Sequence, residues 1–207
     1  MLGSFFIFIG VVSLLWNYFL RMRDEVYSDM RIAMMDVHPP VEENKTITNE
    51  VIEEAPVVEN VDSSANEETH YVVDYSKYLG VLEIPKIGLK RGFYNVGSKY
   101  NDIQYNVAMV EGSTLPDVVN GNLILMAHSG DAYISYFAYL YRLEIGDMAY
   151  VTYNGRRYEY QIVNIYEVPK NGIVRISRNY ERTSLTMVTC TKDNDFTQTV
   201  YISELVG

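Results

Sequence analysis

The sequence predicts a mostly-β domain, a closed or nearly closed barrel of short strands, carried behind an apolar helix and an acidic linker. Three observations point there. From residue 71 onward, short apolar runs, some alternating with polar residues, are separated by glycine, proline and asparagine turn signals. Two of the runs meet across Asn154-Gly155, the strongest short-range hairpin signal. Only one stretch, Ile134 to Leu143, repeats apolar residues at helical spacing, through Phe137, Leu140 and Tyr141. Many strands with few helices favour closure, because a closed barrel leaves no unpaired edge to aggregate.

Residues 1–22 read as a transmembrane anchor. No charged residue occurs from Leu2 to Leu20, and a spanning helix needs roughly 20 mostly apolar residues. Trp16 and Tyr18 fit an interfacial aromatic belt, with Arg21 and Arg23 just beyond it. The segment lacks the basic start and small-residue cleavage site of a signal peptide. A strict positive-inside count on the two arginines would place the following domain in the cytoplasm, since Asp24 and Glu25 weigh little in that rule, but charge alone leaves both orientations open.

Residues 23–70 read as an acidic linker, an extended and disordered stalk. They hold Pro39-Pro40, Ser63-Ser64, many glutamates and little that forms a core. Much of the net charge of −10 sits here, so that charge is not a binding surface, and nucleic acid is excluded as a partner. Residues 71–207 are long enough for one core and form the folded domain.

Within that domain the strands fall in order. Gly80 to Ile84 runs into Pro85; Ile87 to Leu89 leads to Gly92–Gly97; Ile103 to Val110 and Asn122 to Ala127 follow. Asp147 to Tyr153 pairs with Arg157 to Val168, and the chain closes with Leu185 to Cys190 and Thr199 to Leu205. Leu185 and Met187 alternating with Thr186 describe a half-buried strand. The tyrosines, 19 in all, suit strands with amphipathic side chains at the surface.

Cys190, the only cysteine, ends one strand, and His128 ends another. A cysteine and a histidine closing different strands are the parts of a nucleophilic site. An ordinary thiol is mostly protonated at neutral pH, so a nearby imidazole has work to do, as a cation beside the thiolate or as proton donor to the leaving amine. No metal or cofactor is expected: His38 and His70 have no partners at ligand spacing, and Asp193-Asn194-Asp195 lacks the glycine and final glutamate of a calcium loop. No phosphate-binding or dinucleotide glycine pattern occurs.

Four segments together carry a resemblance. Thr186-Met187-Val188-Thr189-Cys190 resembles the TLxTC signature of sortases, with methionine at the leucine position. Gly121-Asn122-Leu123-Ile124-Leu125 running into Ala127-His128-Ser129-Gly130 is similar to that family's strand-ending histidine. Gly80 to Ile87 resembles the opening strand, and Phe137 to Asp147 resembles the family's segment ending in Gly-Asp. They occur in the family's order across nearly all of residues 71–207.

The resemblance implies a closed eight-stranded barrel with one or two short helices, class B-like or of unassigned class. It implies a membrane-anchored cysteine transpeptidase of Gram-positive cell envelopes, with the catalytic domain outside the cell. Its partners would be secreted proteins bearing a carboxyl-terminal sorting motif of the LPxTG type, and an amine of a cell-wall precursor or pilin. Cys190 would form the thioester and His128 would assist. With no second apolar segment after the barrel, wall anchoring is expected over pilus polymerisation.

The family also uses an arginine on the strand after the cysteine to position substrate and oxyanion. This chain has none there. Strand alignment puts Gln198 at that place, with Thr197 as its neighbour if the register slips. A glutamine amide donates a hydrogen bond without charge, and charge-assisted bonds are roughly twice as strong. Lys192, Arg175 and Arg178 are the cations nearest in sequence. A catalytically impaired peptide-binding module and a hydrolysing cysteine endopeptidase are the alternative readings.

Overall fold

A computed structural model describes residues 2–36 and 77–207. Most of the acidic linker, with His38 and His70, lies outside the described residues. Helix α1 runs unbroken over Leu2–Asp36, so residues 23–36, expected as the start of the linker, continue the apolar helix. Among the described residues no helix is long and apolar enough to cross a membrane. The side chains of residues 2–8, 14 and 17, which carry much of the apolar run, lie outside the described set.

Eight strands follow: β1 (Gly80–Ile84), β2 (Leu89–Phe93), β3 (Ala108–Met109), β4 (Asn122–Met126), β5 (Met148–Tyr153), β6 (Arg156–Pro169), β7 (Ser184–Cys190) and β8 (Thr197–Leu205). They form one sheet in the order β2-β1-β5-β6-β8-β7-β4-β3. The two outer strands approach each other through a single parallel bridge, Phe93 to Val107. The barrel is therefore nearly closed, with few helices. All neighbours are antiparallel except β4 and β7, which run side by side in the same direction. That exception brings two carboxyl-terminal strand ends to one place.

The local chemistry explains most of these elements. Asn154 (φ 48°) and Gly155 (φ 70°) both adopt left-handed backbone, the requirement of the turn that joins β5 to β6 without splaying them. Pro85 opens a short 3₁₀ turn, Pro85–Ile87, between β1 and β2, and Gly88 ends it in the left-handed region at φ 65°. Inside the barrel, Leu82, Leu123, Leu125, Val151, Tyr160, Leu185 and Met187 are all but fully buried in one core.

Three expectations are corrected. The stretch 103–110 contributes only the two-residue β3; the residues before it turn, held by Asn101, whose side chain bonds both the N–H and the carbonyl of Met109. Ile134 to Leu143 is not an α-helix but a run of turns ending in the 3₁₀ turn Leu140–Arg142, with Phe137 and Leu140 still reaching the core. Strand β7 is buried on both faces rather than one. Leu185 and Met187 enter the barrel core, while Val188 joins Val168, Val200 and Ile202 outside it, beneath Val174 and Ile176 of the β6–β7 connection.

Asp147 fastens the start of β5 to the end of β1. Its Oδ2 accepts from Lys86 Nζ at 2.8 Å and from the Glu144 N–H at 2.7 Å. Partial burial disfavours its charge, yet the ammonium and the N–H outweigh that and hold its carboxyl below the usual carboxylate range. A lowered native pKa stabilises the fold above the unfolded carboxylate range and loses that contribution as pH falls through the native value. Asp147→Asn should therefore cost about 1 kcal/mol at neutral pH. In urea titrations across pH, the gap to wild type should close in acid; a gap that persists there would assign the cost to something other than charge.

Candidate active site

Strands β4 and β7 place the two marked residues. Their parallel register sets Met126 level with Val188, where the ladder ends; His128 lies two residues past the end of β4 and Cys190 is the last residue of β7. Neighbouring strands lie about 4.8 Å apart, so the chain leaving β4 runs close to the end of β7. Three hydrogen bonds hold the strand ends in that arrangement. Thr189 Oγ1 donates to the Ala127 carbonyl at 2.9 Å, Ser129 Oγ donates to the Cys190 carbonyl at 2.7 Å, and the Phe137 N–H donates to the His128 carbonyl at 3.0 Å. Both His128 and Cys190 are half-buried.

Strand β8 brings in the third predicted residue. Gln198 is the cross-strand partner of Cys190, and on its other side it pairs with Val168 of β6. It is in phase with Val200 and Ile202, which lie in the apolar patch outside the barrel core, whereas Tyr201 points into the core. Cys190 and Gln198 thus share one strand face with Val188 and Val200.

Cys190 also borders a second space. A cleft of about 580 Å³ opens at this end of the barrel, and Cys190 lines it together with Arg91, Tyr136, Lys170 and Lys192. Neither His128 nor Gln198 contributes to that lining. The thiol therefore sits on a divide, with the apolar strand face on one side and a polar, mixed-charge cleft on the other.

The cations nearest in sequence separate cleanly. Arg178 is spent at the far end of β4, donating to the carbonyls of Asn120, Gly121 and Arg182. Arg175 is exposed, flanked by Val174 and Ile176, which turn inward. Lys192 lines the cleft, with its Nζ 3.8 Å from the centre of the Tyr141 ring. Tyr141 titrates lower than an ordinary tyrosine because Arg142 and then Lys192 favour its anion.

Sequence reasoning missed Ser129, Arg91 and Tyr136. Arg91 is buried on β2, donates Nε to Asn106 Oδ1 at 3.0 Å and Nη2 to Tyr136 OH at 2.8 Å, and stacks 4.2 Å from the Tyr136 ring centre. It lines the same cleft as Cys190. A lone arginine in a short strand carries no signal that it will be buried, and Ser129 was visible only as the residue after the histidine.

Known proteins match this arrangement. The Sortase domain family matches residues 82–204. Sortase C1 of Streptococcus agalactiae is 26% identical, with a TM-score of 0.58 over 66% of this chain and 71% of that one. A lid mutant of sortase A from Corynebacterium diphtheriae, 20% identical, superposes with a TM-score of 0.56 over 63% of this chain and 70% of that one. A Clostridium perfringens sortase D5 transpeptidase, 21% identical, does so at 0.56 over 68% and 86%. No curated protein matches the chain.

Proposed function

The chain belongs to the sortase family of cysteine transpeptidases, and from that premise we propose that it cleaves an LPxTG-like sorting motif through a thioester on Cys190. The acyl chain then passes to an amine of a cell-wall precursor or pilin. One observation supports the reading: the only thiol ends β7, and hydrogen bonds tie that end to Ala127 and Ser129, the two residues flanking His128 just past the parallel strand β4. The divided surroundings of Cys190 suit a two-substrate reaction. The half-buried strand ends at Cys190 and Gln198, just beyond the covered Val188 and Val200, offer a bed for the sorting peptide, and the polar cleft offers entry to the amine.

Chemically, the thiolate attacks the scissile carbonyl, and the electron pair moves onto its oxygen. Collapse expels the amine, which takes a proton from the His128 imidazolium, and leaves the thioester. The incoming amine repeats the steps in reverse roles. Gln198, opposite Cys190, donates its amide N–H to the developing oxyanion. The domain is held to the membrane by residues 1–22, on the strength of the uncharged run Leu2 to Leu20, and works outside the cell, a placement that rests on the family's layout against the count of Arg21 and Arg23.

Trapping tests this directly. A sorting-motif peptide incubated without amine should add its acyl portion to Cys190, seen by intact mass, and an added amine should release it as a transfer product. Binding without adduct would favour the peptide-binding module that the absent arginine suggests. Release at the same rate with or without amine would favour an endopeptidase.

Gln198 has its own test. Gln198→Ala should lower turnover about 10²–10³-fold, the scale of one lost oxyanion donor, while Gln198→Arg keeps or raises it. If both variants match wild type, the donor lies elsewhere, and the cleft lysine Lys192 is the next residue to replace.

A further inference from the structure

Helix α1 does more than carry an apolar segment. Its carboxyl half is packed on the barrel beside β2. Ile32 is buried against Tyr78, Val81 and Tyr94, and Arg31 Nη1 donates to Tyr94 OH at 2.6 Å. The Arg31 guanidinium also stands 5.8 Å from the centre of the Tyr78 ring. Gly92 makes room for that ring, since a Cβ there would overlap it. Burial pushes the Tyr94 hydroxyl up to about 12, so it stays neutral as the acceptor of the arginine bond.

Glu25 lines the cleft that contains Cys190, alongside Leu89 and Lys90 at the start of β2. Ile32 touches Tyr94, just past the end of β2. Seven helical residues span about 10 Å, so α1 runs parallel to β2 and leaves the barrel at the end where the cleft opens. Leu20 lies one and a half turns further out, about 7 Å beyond Glu25. The same barrel end exposes Phe196, 84% accessible, and Ile173, with Lys170 between their two loops. The opposite end presents the Asn154-Gly155 turn.

We propose that the docked half of α1 is a rigid strut that turns the cleft-bearing end of the barrel toward the lipid headgroups, so that Cys190 meets its substrates at the bilayer surface. The inference rests on the membrane anchoring proposed above. The spacing between cleft and bilayer is then set by α1, not by the acidic residues 37–76 that come after it. Phe196 and Ile173 supply apolar contact with the interface and Lys170 a contact with lipid phosphate; the acidic Glu25, Asp131 and Asp195 on the same cleft limit how closely an anionic surface approaches.

The sole cysteine makes the test direct. The full chain, labelled with bimane at Cys190, is reconstituted in phosphatidylcholine–phosphatidylglycerol vesicles that carry a spin label on their headgroups. A second sample carries bimane at Arg156→Cys in a Cys190→Ala background, at the other end of the barrel. Quenching should be several-fold stronger at position 190 than at 156, and Ile32→Asp, which breaks the docking, should erase the difference. Protein that does not float with the vesicles would overturn the anchoring and this inference together. Protein that floats but is quenched equally at both positions, or in reverse order, would overturn the inference alone. A difference that survives Ile32→Asp in a folded protein would overturn the strut.

Discussion

Cys190→Ala should abolish cleavage of every sorting peptide, by at least about 10³-fold, while the barrel folds as before. No second thiol exists to take over, since Cys190 is the only cysteine in the chain. The substitution is structurally mild. Cys190 is half-buried at the end of β7, and its backbone bonds, including the one its carbonyl accepts from Ser129, do not need the sulfur. Thermal melting should move by no more than a few degrees, because one small side chain at a partly open site removes little packing. Adduct formation with the peptide should vanish with turnover, and binding of the peptide should persist. Measurable cleavage by the alanine variant at a hundredth of wild type or more would end the assignment, whatever the fold resembles.

The barrel was legible because its strongest signals are local. Asn154-Gly155 announces a hairpin on its own, and Leu123, Leu125, Leu185 and Met187 alternate because each second residue faces the core. The misreadings share a cause, which is that tertiary neighbours decide what local pattern cannot. Phe137, Leu140 and Tyr141 have helical spacing, yet the segment must return from His128 to β5 while its Phe137 N–H is held by the His128 carbonyl, and turns accomplish this where a helix does not. Residues 103–107 look like a strand, but the Asn101 side chain and the 102–106 turn consume the hydrogen bonds a longer ladder needs. The second buried face of β7 depends on Val174 and Ile176, two residues in a long connection with no periodicity to betray them.

The candidate site was legible in its strand-end residues and illegible in their supports. Cys190 and His128 stand out by residue type and by closing apolar runs, and the parallel β4–β7 register brings those ends together. Gln198 came from counting along β8, and in the sheet it lies across from Cys190. The fate of the nearby cations did not follow. Arg178 lies only twelve positions before the cysteine but a whole strand length away in space, because β7 carries the chain from one end of the barrel to the other. Arg91, 99 positions away in sequence, helps line the cleft with Cys190. Distance along the chain is a poor guide wherever strands cross the full height of a barrel.

His128→Asn should lower turnover by about 10²–10⁴-fold, the usual range for a positioned general acid or base. Asparagine keeps the size and the hydrogen-bonding character of the side chain but cannot carry a proton between substrate and solvent. The backbone support is untouched, since the Phe137 N–H binds the carbonyl of residue 128 and not its ring. The loss follows from chemistry common to both roles open to the imidazole. As cation beside the thiolate and as acid toward the leaving amine, the ring acts in its protonated form at the start of the reaction. His128→Asn should therefore slow both formation of the thioester and its release to the amine, while binding of the peptide persists. A variant that keeps near-wild-type turnover would remove His128 from the reaction and leave the two adjacent strand ends with a structural role only.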